Sequence, residues 1–346
     1  MTNASGKKRY WGIVSPHMPA NVLAGVAKQQ EDIGLEGTWA AQVFGPPFSP
    51  LAAAATSTQR LLLGTGIAIA FTRSPFETAM AAIDLDRMSN GRTILGLGSS
   101  VQSWTEGIFG MPYGKPCEHL REATSLIRLI IAQAHTGELE RFDGKYYHLD
   151  FSDLQPPPPP PRAEVPIWIS ALRGAMLRLG AEVADGIIGH PIWSTHWATS
   201  EIPKELKKGL ARGGRERADV HVNNWFWVTP NRDRKQSIED ARACVAFYAG
   251  IEQYEEYFAA HGFRDACKAL QEGTRRGDYR SVAHLVPDAM ASTFVITGSP
   301  DEVRRKLEPV WAVADSLTLI PPVLSLSPEQ TQAYAATIAD TFYQDL

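Results

Sequence analysis

Short runs of branched and aliphatic residues recur along the chain, and most end in glycine, proline or a polar residue before a stretch with helical spacing. Residues 10–15, 37–43, 61–69, 93–97, 167–171, 186–189, 220–228 and 316–320 read as strands. Helical patterns lie between most of them, the first over about 20–33 and an alanine-rich one around 51–55. Eight strands alternating with helices predict an α/β chain folded as a (β/α)8 barrel, closed and parallel rather than an open sheet.

Three helix starts are legible. Ser74-Pro75-Phe76-Glu77, Ser299-Pro300-Asp301-Glu302 and Ser327-Pro328-Glu329-Gln330 each place serine at the N-cap, proline in the first turn and Glu or Gln at the third position. Each predicts a capping box with a preset φ angle. In the first helix Phe76, Met80 and Ile83 share a face expected to pack on the barrel wall, and Asn90-Gly91 is expected to end it. Two stretches exceed a minimal barrel. Residues 135–166 predict a hairpin followed by six prolines, 156–161, which act as a stiff spacer; residues 251–290 predict extra helices. Both read as insertions in one domain spanning 1–346.

In such a barrel the strand ends converge on one mouth, where α/β enzymes place their chemistry. The most informative segment is 60–100, RLLLGTGIAIAFTRSPFETAMAAIDLDRMSNGRTILGLGSS, a strand, a capped helix and a second strand. Its turns, Gly64-Thr65-Gly66 and Gly96-Leu97-Gly98-Ser99-Ser100, are expected to let a planar or phosphorylated ligand approach the backbone. The segment PIWISALRGAMLRLGAEVADGIIGHPIW repeats this order, and the helix starting near Arg173-Gly174-Ala175 offers free N–H groups to an anion such as phosphate, unless it is an ordinary βα turn. Phe44, Phe71, Trp104, Trp193, Trp197 and Trp227 are candidate walls for a flat cofactor and an apolar substrate. His17 and Glu106 are the ionisable groups nearest the strand ends and the candidate proton donors. Arg73 reads equally well as a cofactor-tail contact or as a salt-bridged residue before Ser74.

Composition narrows the classes. The 346 residues are 44% hydrophobic and 21% charged, ordinary for a soluble enzyme, and a net charge of −4 leaves no basic surplus for nucleic acid. Three cysteines, Cys117, Cys244 and Cys267, have no metal-ligand spacing, and nine histidines form no HExxH pair, so no metal site is expected. The first twelve residues lack an apolar export segment, and no apolar run approaches the length of a membrane span. A reduced, cytoplasmic setting is expected.

The two strand–turn–helix segments, with the closing SPDEVRRKLEPVWAVADSLTLIPP, also carry a family resemblance. From about Tyr10 to Pro322 the chain resembles the bacterial-luciferase-like oxidoreductases. The resemblance implies a TIM barrel that binds FMN or the deazaflavin coenzyme F-420, acts through the reduced ring and commonly forms a homodimer. By position, Gly66-Ile67 matches the third-strand bulge that backs the ring, often through a non-proline cis peptide. Gly98, Ser99 and Ser100 match the turn beside the ring, and Ser170, Ala171, Arg173, Gly174, Ala175, Gly189 and His190 match the phosphate-binding turns. Gln42 and Thr65 join the expected cofactor contacts.

The departures also inform. Trp39 is followed by Ala40-Ala41-Gln42-Val43 where deazaflavin enzymes acting on sugar phosphates carry an Asp-His pair, and Val101 stands where they have glutamate. The expected activity is therefore hydride transfer between the cofactor and a small, uncharged organic molecule. The alternatives are a two-component FMN monooxygenase served by a flavin reductase, and a non-catalytic flavin-binding barrel.

Overall fold

The computed structural model describes residues 8–324, 326–344 and 346. The expectation of no export segment falls partly on residues 1–7, outside the described residues. Twelve strands are present: β1 Tyr10–Val14, β2 Gly37–Ala40, β3 Leu62–Thr65, β4 Ala68–Ile69, β5 Thr93–Gly98, β6 Arg141–Asp143, β7 His148–Asp150, β8 Ile167–Ala171, β9 Gly186–Gly189, β10 His221–Pro230, β11 Ile296–Gly298 and β12 Ser316–Ile320. All eight strands read from the sequence are among them. The main sheet runs β11-β10-β12-β1-β2-β3-β5-β8-β9, with β4 on β5 and a further β9–β10 pairing that closes it.

The third expected strand, 61–69, is broken in two. The chain leaves β3 at Thr65, the Gly66–Ile67 peptide is cis, and β4 resumes at Ala68 on β5. β11, a three-residue strand parallel to β10, has too short an apolar run to be seen in the sequence. The expected hairpin is β6–β7, antiparallel, with Phe142 opposite Leu149.

The chain divides into two compact units. One comprises residues 11–188 and 205–221. Inside its sheet Trp11 stacks on Trp39 at 4.3 Å, Trp168 lies 5.6 and 5.5 Å from them, and His221 stacks on Trp168 at 4.6 Å. Each indole occupies the space that a side chain on a neighbouring strand would need: Trp11 covers Gly37, Trp39 covers Gly64 and Trp168 covers Gly186. Large residues facing glycine let side chains rather than a channel fill the interior. Outside the sheet, the helices Pro75–Met88 and Pro116–Gln133 bury Ala79, Ala82, Ile83, Leu120, Ile127 and Ile130 in one apolar cluster.

Two details of the helix Pro75–Met88 differ from expectation. Its buried face is built from small residues, Thr78, Ala79 and Ala82, with Ile83 and Leu85, while Phe76 and Met80 are only half-buried at its edge. Small side chains let the helix approach the sheet closely. Its capping box is also half-made: Ser74 accepts from the Glu77 N–H, with no return bond from Glu77. At the other end Asn90 (φ 54°) and Gly91 (φ 80°) turn the chain in the left-handed region, as expected. The proline spacer is tied to this helix: Arg87 donates to the Pro158 and Pro159 carbonyls, and Arg162 forks onto the buried Asp86.

The other unit comprises 189–204, 222–346 and the described residues before Trp11. β10 pairs with β12 in a register that sets Asn223 opposite Ser316. The Asn223 amide donates to Ser316 Oγ at 2.7 Å and accepts from Thr318 Oγ1 at 2.8 Å, so these buried polar groups satisfy one another. The expected extra helices are Glu255–Ala259, Arg264–Arg276 and Asp288–Phe294. Both remaining capping boxes, at Ser299 and Ser327, are complete.

All three thiols are free. Burial pushes Cys244 up to about 12 and Cys267 up to about 11, whereas Cys117 is half-buried. A thiol-specific disulfide reagent at pH 8 is therefore expected to label Cys117 alone in the folded protein and all three after denaturation. Fast labelling of Cys244→Ser and parent at two or more sites each would refute this. No helix among the described residues is long and apolar enough to cross a membrane.

Candidate active site

The strand ends of the unit holding β1 to β8 supply the core of the candidate site. After β2, Gln42 is buried although polar, because each of its groups is used. Its backbone N–H donates to the Ile67 carbonyl at 3.1 Å. Its side-chain Oε1 accepts from the Ile69 N–H at 2.9 Å and from Arg73 Nη2 at 3.1 Å, and Nε2 donates to Thr72 Oγ1 at 3.2 Å. One glutamine thus fixes the segment 67–73 that follows the cis peptide. The Gly66 N–H donates to the Ala40 carbonyl at 2.8 Å, completing the link between the ends of β2 and β3.

Gly98 at the end of β5 brings three elements together. The space its absent side chain leaves is taken by the tip of Ile67, with Ser170 Cβ of β8 alongside. Gly96 likewise admits the Thr65 carbonyl. These glycines therefore serve close packing of the chain's own strands, where the sequence had suggested room for a ligand at the backbone. Thr65 is committed in the same way: it is fully buried and its Oγ1 donates to the Gly96 carbonyl at 2.7 Å. The groups that meet at these strand ends are Gln42, Ile67, Gly98 and Ser170.

The turn after β5 is held from outside. Ser100 has φ 55°, uncommon for a residue with a side chain. Its carbonyl accepts from the Tyr113 hydroxyl at 3.0 Å and from Ser99 Oγ at 3.2 Å. Tyr113 sits edge-on to Phe71, and Phe71 stacks flat on His119 at 3.9 Å. His119 Nδ1 bonds the Tyr113 carbonyl at 3.0 Å, and burial lowers its pKa. Tyr113 was not foreseen: a contact thirteen residues away leaves no spacing signal.

The expected anion site is partly occupied by the protein's own charges. Arg173 is the exposed N-cap of the helix Gly174–Val183, and Ala171 is buried. The side-chain direction of Gly174 is blocked by the Glu205 carboxylate, which Arg178 and Lys208 hold in place. Ser170 is half-buried and Ala175 exposed.

The unit that begins at Gly189 corrects several expectations. The side-chain direction of Gly189 is filled by the ring of Trp193. His190 Nδ1 accepts the Ile192 N–H at 3.3 Å, which leaves the ring proton on Nε2 to donate to the Tyr254 hydroxyl at 3.0 Å. Burial pushes its pKa down to about 3, so it is a neutral, two-bonded imidazole with no positive charge for a phosphate. Tyr248 lies edge-on to it at 4.8 Å. This Tyr248–His190–Tyr254 group spans 64 residues of sequence and was likewise not foreseen.

The aromatic candidates separate by burial. Phe71 and Trp193 are internal packing residues at 2% and 0% exposure, and Phe44, at 71%, lies open to solvent. Trp104 and Trp197 are half-buried and Trp227 nearly buried; the indole N–H groups of Trp197 and Trp227 have no hydrogen-bond partner among the described residues. His17 is exposed with its ring 6.0 Å from Phe44. Glu106 is also exposed, accepting from Gln102 at 2.9 Å and weakly from the Tyr113 N–H at 3.4 Å. No group of three or more His, Cys, Asp or Glu side chains among the described residues is placed to hold a metal ion.

Comparison with known proteins agrees with this architecture. The described family luciferase-like monooxygenase matches residues 5–313. A 5,10-methylenetetrahydromethanopterin reductase of Archaeoglobus fulgidus is 30% identical over 300 residues, 84% of this chain and 86% of that protein. A Mycobacterium tuberculosis protein provisionally named a coenzyme F-420-dependent oxidoreductase is 29% identical over 347 residues, 95% of this chain and 96% of its own length. The solved coenzyme F-420-dependent tetrahydromethanopterin reductase of Methanopyrus kandleri superposes with a TM-score of 0.80 at 22% identity, covering 98% of this chain and 99% of that one. That likeness fixes the fold as a (β/α)8 barrel. The strand order and the matched length lead to one conclusion: the chain belongs to the luciferase-like monooxygenase family.

Proposed function

We propose that this protein is an oxidoreductase that transfers a hydride between coenzyme F-420 or FMN and a small, uncharged organic substrate. The observation that carries this reading is the convergence of Gln42, Ile67, Gly98 and Ser170 from four strand ends. These groups are neutral, and no acid–base pair follows β2, which supports chemistry carried by a bound group. The site fits such a group on its own terms: Arg73 Nε is buried without a partner among the described residues, a donor left over for a ligand. The names of the two relatives support hydride chemistry.

When bound, a deazaflavin or flavin supplies a ring that accepts or gives up a hydride. The protein's part is to place that ring and to keep water from it. In the proposed arrangement Ile67 and Gly98 form the surface beneath the ring, and Gln42 keeps the Ile67 segment from moving. The turn Ser99-Ser100 flanks it under the Tyr113 clamp, and within Ser170 to Ala175 the half-buried Ser170 and the exposed Arg173, on the side away from Glu205, receive the phosphate. Trp104 of the same unit excludes water and favours an apolar substrate. His17 or Glu106 delivers the proton.

The decisive experiment is titration of the purified protein with F-420 and with FMN, followed by reduction and reoxidation with candidate substrates. Tight binding of one cofactor with substrate-dependent reoxidation is expected, and failure to bind either would end the proposal. If His17 is the general acid, His17→Ala lowers turnover about 10²-fold. Unchanged turnover in both His17→Ala and Glu106→Gln would remove these two residues as proton donors. The second reading, an FMN monooxygenase served by a flavin reductase, is favoured by the family's description. Label from ¹⁸O₂ appearing in product would establish it. A homodimer in a reduced cytoplasm is the proposed state, in keeping with three free thiols.

A further inference from the structure

Arg73 is a cation without a counter-ion. Its guanidinium donates once, through Nη2 to the neutral Gln42 Oε1 at 3.1 Å, and stands 5.5 Å over the Phe48 ring. Its Nε is buried and has no partner. Of the two readings open from the sequence, the salt bridge is not made: among the described residues no carboxylate lies within ion-pair distance. Burial pushes the group below its ordinary value, and Glu77, the nearest opposing influence, acts only from a distance. A partly desolvated charge with an unmade donor is costly unless something pairs with it. Its neighbours answer the charge only in part: the guanidinium lies over the Phe48 face, and the neutral Gln42 Oε1 also accepts from Ile69.

Its position gives the charge a use. Arg73 is one side chain removed from the cis peptide, since Gln42 Oε1 accepts a hydrogen bond from Arg73 Nη2 and the Gln42 backbone N–H donates to the Ile67 carbonyl. We propose that Arg73 binds an anionic group, phosphate or carboxylate, on the side chain of the cofactor whose ring lies against Ile67. This rests on the cofactor reading above and extends it. Arginine suits the role because its fork of N–H groups can hold two oxygens of one anion. Gln42 is the positioning residue: it sets the plane of that fork while leaving Nε for the ligand.

The test is direct binding to purified protein, followed by quenching of cofactor fluorescence. The ligands are riboflavin, FMN, the deazaflavin chromophore alone, its phosphorylated form, and F-420 with its glutamate tail. In Arg73→Met, which keeps an unbranched side chain of similar length without the charge, acidic ligands are expected to weaken about tenfold to a hundredfold. Riboflavin and the bare chromophore are expected to change less than twofold. A loss appearing already with the phosphorylated forms assigns Arg73 to phosphate; one appearing only with the tail assigns it to carboxylate. Arg73→Lys keeps charge without the fork and is expected to recover part of the loss. Should Arg73→Met not fold, Arg73→Lys and the salt dependence of F-420 binding to the parent carry the test, the affinity falling as salt rises. Equal weakening of charged and neutral ligands, or none, overturns the assignment while the cofactor reading stands. A parent protein that binds no flavin or deazaflavin defeats the cofactor reading and this assignment with it.

Discussion

Asp86→Ala is expected to cost about 3 kcal/mol of unfolding free energy, measured by urea denaturation at neutral pH. Asp86 is the buried end of the junction between the helix Pro75–Met88 and the proline spacer, its side chain 0% exposed. It accepts from the Thr93 N–H at 3.1 Å and from both arms of Arg162, with Nε at 3.0 Å. Truncation leaves a buried N–H and a guanidinium unmatched. The expected loss sits at the low end of the range for broken buried pairs, because Arg162 keeps a third of its surface in water. Arg162 also donates to the Thr93 carbonyl at 2.8 Å, so the pair staples the spacer to the start of β5. Arg162→Met combined with Asp86→Ala should cost clearly less than the sum of the single changes. A loss under 1 kcal/mol in Asp86→Ala would show that the junction is not a stability element.

Glu31→Gln is expected to cost a similar amount at pH 7 and nothing near pH 2. Glu31 lies at 5% exposure in the helix Ala20–Asp32, and its Oε2 accepts the N–H groups of Gln59, Arg60 and Leu61 at 2.8, 2.6 and 2.9 Å. Burial by itself would raise the carboxyl pKa, but the three bonds outweigh it and hold the group at about 2, against an ordinary 4.5. A carboxyl lowered on folding contributes stability above its unfolded pKa and loses it as pH falls through the folded one. The contribution, about 3 kcal/mol, is therefore complete above pH 4.5 and gone by about pH 2. Parent and Glu31→Gln should converge over that window in acid unfolding curves. A gap that stays constant from pH 7 to pH 2 would mean that lost geometry, not charge, causes the difference.

Much of the candidate site was legible as location and little of it as contact. Gly66-Ile67, Gly98 and Ser170 were placed at strand ends by patterning, and there they stand. What fills the side-chain space of the glycines was not legible: at Gly98 and Gly189 it is Ile67 and Trp193, because a missing side chain says that something comes close but not what. The same limit applies to the aromatics. Phe71 reads as a wall from its position after a strand, yet it faces the outer helices and stacks on His119. His190 was expected at a phosphate-binding turn, and only the structure shows that Ile192 and Tyr254 engage both its nitrogens.

Local chemistry decided the element order. Hydrophobic runs of strand length, Ser-Pro caps and the Asn90-Gly91 stop act over a few residues, so eight strands, their helices and the β6–β7 hairpin could be read directly from the chain. Tertiary structure alone decided which groups are neutral, which are spent and which are left over. The Gln42 link to Arg73, the Tyr113 clamp on Ser100 and the Tyr248–His190–Tyr254 group each join residues 13 to 64 positions apart. Packing sets such distances, and burial then sets the charge, so neither is encoded in any short stretch of sequence.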